Sequence, residues 1–320
     1  MMEGVGSSVE VASVAKIKKI YNSCEQVVDG VVRTSSLAFL SIFIMEANLL
    51  RLATYMCPSI PVEYYEFIAE YLERELKLQT TLLYNSRKCG PDISRGDHQH
   101  IDLAFVSTRT YLQNFKCGTT QFHLLPVGAV TKHPVKGDVL GYYADIVVHK
   151  DVEERMKEFL DMRGCKFVYS HEDSLSNKLL LRALKQMGED ASFFSDIQVS
   201  GSHQRSIEMV VSKKSEATAV DSLSLANYLS RHYYHEPELS LELSWGPLPP
   251  HPILVNSKLP AALKIKLEEA LLSMHKLPEW MKILNSFNIS GFRKTSFGNY
   301  IEAAELLEFT ESLSFGITYY

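Results

Sequence analysis

Apolar and polar positions along the chain fall into short blocks whose period switches between that of a strand and that of a helix. Residues 48–55 (NLLRLATY) form an apolar run read as a buried first strand. Cys57-Pro58-Ser59-Ile60-Pro61 then turns the chain, because proline cannot continue a β-ladder. Over residues 63–76 apolar side chains recur at Tyr64, Phe67, Ile68, Tyr71, Leu72 and Leu76, the spacing of an amphipathic helix. Strand-like runs come next at 80–84 and 101–106, with Asp102 at the start of the second. A helix opens at 107–112, and Pro126 breaks a strand-like run at 122–130. Residues 131–141, carrying His133, Pro134, Gly137 and Gly141, read as a crossover.

A second set of blocks begins at 142–149 (YYADIVVH), a strand, with a helix predicted over 151–160. Next come a strand at 167–169, a hydroxyl-rich turn and a helix through Leu179, Leu180, Leu181 and Leu184. The turn Ser200-Gly201-Ser202-His203 precedes another helical run at Ile207, Met209, Val210 and Val211. A strand at 217–220 ends at Asp221 and leads into a helix at 222–229. The alternating run 238–244 and the proline-rich 245–252 form a second crossing. A strand at 253–255 and helices at 260–274, 278–284 and 303–307 close the chain. Strands alternating with helices predict an α/β fold with largely parallel strands.

Composition narrows the function. The 320 residues are 46% hydrophobic and 22% charged, enough apolar material for one large domain or two lobes. With a net charge of −5 and no basic stripe, nucleic acid is not an expected partner. No apolar run reaches the length of a membrane span, and no membrane partner is expected. The five cysteines are scattered without C-x-x-C pairing, a pattern expected of a reducing compartment. Residues 1–44 differ in pattern from the rest of the chain and read as an N-terminal extension outside the core fold, with Met45 as an alternative start. The apolar segment 35–45 lies too far from Met1 for a signal peptide. Together these features predict a cytoplasmic protein without metal or cofactor. His98 and His100 beside Asp97 and Asp102 lack further ligands at metal-site spacing. His232, His235 and Glu236 read H-x-x-H-E rather than H-E-x-x-H.

The chemistry concentrates where strands turn into helices. Ser174 and Ser176 precede a helix, where free backbone N–H groups and the helix dipole favour an anion. The same residues are ordinary N-caps, as Asp221 is for the helix at Ser222. His203 can donate a hydrogen bond to an anion, and Asp221 can accept a proton from a ligand P–OH or ammonium group. Thr54 and Tyr55 end the first strand, where α/β crevices take ligands. Tyr111 stands as a residue closing on the ligand or as a core tyrosine. Arg87 and Arg109 are candidate charge partners.

Several landmarks, in order, resemble the substrate-binding component of phosphonate-type ABC transporters. They are Asp102-Leu103-Ala104-Phe105 followed by Tyr111-Leu112, then Tyr143-Ala144-Asp145-Ile146-Val147-Val148, then Asp173-Ser174-Leu175-Ser176-Asn177. Ser200-Gly201-Ser202-His203, residues 216–221 and Pro247-Leu248-Pro249 complete the series. The chain departs from that pattern at Leu175, where the family has threonine, and at Asn177, where it has glycine. The resemblance implies a two-lobe type II periplasmic-binding-protein fold. Each lobe would be a mixed, mostly parallel sheet flanked by helices, with a ligand cleft between lobes that close by hinge motion. Lobe one would hold residues 45–134 and 238–320, lobe two 135–237. The implied ligand is a small phosphonate- or phosphate-like anion, held by Thr54, Tyr55, Tyr111, Ser174, Leu175, Ser176, His203 and Asp221. Two alternatives stand beside a soluble binding protein or sensor. One is an enzyme of the same fold, with His203 and Asp221 (or Glu216) as acid and base. The other is an interaction module with a vestigial cleft.

Overall fold

The computed structural model describes residues 49–83, 90–91, 100–116, 118, 121–231 and 238–315. The N-terminal extension, Met45, Arg87, Asp97, His98, His232, His235 and Glu236 lie outside these residues. The chain opens with β1 (Leu49–Thr54), α1 (Val62–Leu76), β2 (Gln79–Leu83), β3 (Leu103–Phe105) and α2 (Thr108–Lys116). β4 (Phe122–Leu124), β5 (Val127–His133), β6 (Gly137–Leu140) and β7 (Tyr142–His149) come after them. Next are β8 (Lys166–Tyr169), α3 (Leu175–Gln186), β9 (Asp196–Val199), α4 (His203–Val211), β10 (Ala217–Asp221) and α5 (Ser222–Arg231). β11 (Leu239–Leu248), β12 (Ile253–Asn256), α6 (Ala261–Ser273), α7 (Pro278–Ser286), β13 (Ile289–Lys294) and α8 (Ile301–Phe309) complete the chain.

Two five-stranded sheets define two lobes. One has the order β2-β1-β3-β12-β4, the other β11-β7-β10-β8-β9. β1 and β3 are parallel, as are β10, β8 and β9, while β12, β7 and β11 run antiparallel to their neighbours. A third sheet, β13-β5-β6, adjoins the first crossing. The apolar stripe of α1 (Tyr65, Ile68, Leu72) packs with β1, β3, α6 and α7 in one core. Leu52, Leu72 and Ile68 are fully buried there. Two further cores cover the two faces of the second sheet, one around Phe167, Leu180 and Phe193, the other around Val168, Ile207 and Val220.

Some elements differ from the sequence pattern. The helix predicted over 151–160 is two short 3-10 turns, Lys150–Arg155 and Phe159–Met162. Met156 is buried between them, and a Glu158–Asp161 capping box restarts the chain. The segment 131–141 is the β5–β6 hairpin, and it ends at Gly141 (φ +116°), where a Cβ would lie 1.9 Å from the Leu248 carbonyl oxygen. That close approach of the two crossing segments leaves room only for glycine. β9 and β13 carry no alternation that marks them. Asp196, Gln198 and Val199 are exposed on an edge, and Gly291 interrupts β13 at a register shift.

Candidate functional site

Parallel strands in both lobes end at one cleft, and the turns after them supply its lining. A cavity of about 180 Å³ lies there. From the first lobe it is bounded by Tyr55 to Ser59 after β1, Ser107 to Arg109 after β3, and His251 before β12. From the second it is bounded by Tyr142, His171, residues 173–176, residues 201–203 and Asp221. The N-termini of α2, α3 and α4 all open onto it. A helix start leaves backbone N–H groups unpaired and carries partial positive charge, so three of them around one cavity favour an anion.

The hydroxyl corner forms because β8 is an apolar strand that ends at Tyr169, and Ser174 adopts extended backbone before the helix. Ser174 Oγ accepts from the Asn177 N–H (3.3 Å) and lies 3.3 Å from Ser176 Oγ. Both serines are buried. The capping role is therefore real, and the helix starts at Leu175. The second corner is tightened by Gly201 (φ +90°), whose N–H donates to the Ser170 carbonyl (2.7 Å). Ser202 caps α4 by accepting from the Arg205 N–H (3.1 Å), and His203 is the first helical residue.

His203 is buried, and burial drives its pKa from 6.5 down to about 4. The Asp221 charge opposes this, while His171 and His251 add to it. His171 is likewise lowered by burial. Both rings are thus neutral at pH 7. His203 Nδ1 accepts from the Asp221 backbone N–H (3.3 Å), and the His203 N–H donates to Ser59 Oγ across the cleft (3.2 Å). A second bridge between the lobes is the ion pair of Arg109 Nε with Asp173 Oδ1 (3.1 Å), not aligned as a hydrogen bond.

The Asp221 carboxylate is engaged on both oxygens. Oδ1 accepts from the Leu223 N–H (2.7 Å), and Oδ2 pairs with His251 Nε2 (2.8 Å). Burial would raise the Asp221 pKa, but the His251 hydrogen bond, the charges of His251 and His203 and the Leu223 N–H outweigh it and hold it low. His251 stacks on Tyr142 with ring centroids 4.5 Å apart.

Of the residues expected at the site, Tyr55, Ser174, Leu175, Ser176, His203 and Asp221 line the cavity. Thr54 and Tyr111 do not. Thr54 is fully buried at the end of β1, and its Oγ1 accepts from the Met56 N–H (3.3 Å). Tyr111 lies on the inward stripe of α2, edge-on to Tyr300 at 5.0 Å, in the core shared with α8. Sequence reasoning misses His171, His251, Ser59, Ser107, Thr108 and Tyr142, and it offers Arg109 only as a charge partner. Asp102 accepts the Arg51 N–H through Oδ2 (2.8 Å), a strand-end contact away from the cavity. The His203 ring meets Asp221 at its backbone N–H, while the Asp221 carboxylate is bonded to Leu223 and His251, so the two side chains are not arranged as an acid–base couple.

Comparison with known proteins gives a consistent picture. The family model described as the periplasmic substrate-binding protein of phosphonate ABC transporters matches residues 56–300. A Prochlorococcus marinus protein solved with methylphosphonate superposes with a TM-score of 0.64 at 16% identity, covering 83% of this chain and 99% of that one. A binding-protein component of an ABC phosphonate transporter from Pseudomonas aeruginosa gives 0.64 at 14% identity, covering 82% and 86%. A Xanthomonas citri protein bound to ATP gives 0.55 at 16% identity, covering 83% and 98%. No match was found among curated protein sequences. The two-lobe type II fold is thereby established. The cytoplasmic location expected from the cysteine pattern and the N-terminal segment is overturned, since the matching family is one of periplasmic proteins.

Proposed function

The chain belongs to the family of periplasmic phosphonate-binding components of ABC transporters, and from that premise we propose that its cleft binds a small phosphonate- or phosphate-like anion for delivery to a transporter. The first sheet (β1–β4 and β12) and the second (β7–β11) act as the two lobes, hinging at the crossings around Gly141 and Leu248; β11, expected with lobe one from residue 238 onward, is paired to β7 and moves with lobe two. Ser174, Ser176, Ser202, His203 and the N-terminal N–H groups of α2, α3 and α4 hold the oxyanion, and Tyr55 closes the cavity from the first lobe.

The observation that carries this reading is the convergence of three helix N-termini and two buried serines on one small cavity. A buried oxyanion needs several donors to replace its lost water, and this lining offers them. At about 180 Å³ the cavity is below the ~300 Å³ where pockets for larger ligands begin, which favours a compact anion over a nucleotide. Among the described residues lining the cavity, Arg109 pairs with Asp173 and the His251 imidazole with Asp221, so dipoles and hydrogen bonds hold the ligand.

Thermal melting with methylphosphonate, inorganic phosphate and sulfate tests the assignment. A ligand at one hundred times its Kd adds about 2.7 kcal/mol to stability. At least one of the three raises Tm, and the Ser174→Ala/Ser176→Ala double variant loses that rise. An unchanged response in the double variant would place the ligand elsewhere.

A further inference from the structure

By residue type alone, the Asp221 carboxylate could accept either a P–OH proton or an ammonium group of the ligand. The structure separates these. Asp221 is almost wholly buried, and its oxygens are taken by the Leu223 N–H, by the Ser224 N–H at the longer distance of 3.4 Å, and by His251 Nε2. The group that meets the cavity beside it is the imidazole of His251.

The tautomer of that imidazole is set by its partner. A carboxylate 2.8 Å from Nε2 fixes the proton there. Nδ1 of His251 is buried and has no hydrogen-bond partner among the described residues. As a lone pair it can accept from the P–OH of a monoanion, and as N–H it can donate to the P–O⁻ of a dianion. A phosphonate that reaches Nδ1 completes the ring in either ionisation state.

A ligand ammonium group meets different conditions. Among the described residues the carboxylates lining the cavity are Asp173 and Asp221, and each already has a cationic or N–H partner, Arg109 for the first and His251 for the second. The helix N-termini that favour the oxyanion oppose a second, positive group. Burying a cation without a free carboxylate is costly.

We propose that His251, oriented by Asp221 and seated on Tyr142, makes the cleft selective for phosphonates and phosphate-like oxyanions that carry no ammonium group. The inference rests on the anion-binding reading above and names the ligand class that this site accepts.

Calorimetric titration of the full chain with ethylphosphonate and aminomethylphosphonate is the test, because the two differ only in CH₃ against NH₃⁺. Ethylphosphonate is expected to bind about tenfold more tightly or better. In His251→Ala, Asp221 Oδ2 is released, so ethylphosphonate weakens and the ratio falls to about one or inverts. Equal affinities in the parent protein, or preference for the amine, overturn the selectivity while leaving the anion site standing. A ratio unchanged in His251→Ala removes His251 from the explanation. Binding of neither probe overturns the anion-binding reading and this inference with it. If His251→Ala does not fold, the parent ratio alone decides.

Discussion

His203 is the titrating group whose behaviour the structure predicts most sharply. Burial holds its pKa at about 4, against an ordinary value of 6.5. A base whose pKa is depressed on folding is protonated first in the unfolded chain. Its contribution is therefore fully present above pH 6.5 and is lost as the pH falls toward 4. At about 1.4 kcal/mol per pH unit, that window is worth about 3 kcal/mol, most of it gone by about pH 4.5. His203→Asn removes the titration while offering an amide oxygen near Nδ1 to accept the Asp221 N–H. Urea unfolding of both proteins between about pH 7.5 and 4.5 gives the comparison. The parent should lose about 2–3 kcal/mol more than the variant across that range. A bound oxyanion favours the protonated ring, so a saturating ligand such as methylphosphonate should flatten the parent curve. Parallel curves for the two proteins would mean that His203 is solvated or already charged rather than a buried, neutral ring.

Other perturbations probe the elements around the site. Arg109→Ala breaks a half-exposed interlobe ion pair. It should cost under about 1 kcal/mol in stability, yet speed ligand release several-fold in stopped-flow experiments. Unchanged release would show that this pair does not help hold the lobes together. Ser244 Oγ donates to Asp145 Oδ1 (2.8 Å) where β11 pairs with β7 in the second sheet, and His133 Nε2 lies 3.1 Å from the same oxygen. Ser244→Ala should destabilise by about 1–3 kcal/mol. Burial already raises the Asp145 pKa. The loss should therefore be largest at neutral pH and shrink as acid protonates the carboxyl; a pH-independent loss would argue against it. Leu180→Ala opens the fully buried core beneath α3 and should cost about 2–5 kcal/mol by chemical denaturation. A near-neutral result would mean that α3 is not anchored there.

Much of the site is legible in the sequence because its chemistry is local. Ser174, Ser176, Ser202 and His203 lie in strand-to-helix turns whose residues announce themselves, with hydroxyls at the caps and Gly201 at a position of positive φ. The illegible part is contributed from a distance. Ser59 meets His203 across 144 positions of sequence, and His251 meets Asp221 across 30. Nothing in the period of either segment encodes those meetings. Tyr111 illustrates the converse error. An aromatic near a strand end suggests a ligand contact, but its place beside Thr108 and Leu112 on the buried stripe of α2 commits it to the core. Strands β9 and β13 form on hydrogen bonding to neighbours, and their side chains carry little alternation to reveal it. One sign of His251 is available, an imidazole fixed between Pro250 and Pro252 just before a buried strand.

The two readings that the sequence offers for Ser174, helix cap and anion ligand, prove compatible once protons are counted. A hydroxyl has one donor and two acceptor positions. Capping uses an acceptor position of Ser174 Oγ, for the Asn177 N–H. The contact with Ser176 Oγ uses one proton of the pair and one more acceptor position. That leaves one of the two hydroxyl protons uncommitted in this pair, beside the cavity that both serines line. The cap fixes the rotamer of Ser174, so the hydroxyl pair is held in place before any ligand arrives. Local folding and ligand positioning thus use the same atoms, which is why a motif that looks like ordinary capping can mark the site. The same count separates the two corners. Asp221 brings only acceptors, and both its oxygens are engaged, so beside an oxyanion it acts through the His251 imidazole that it orients.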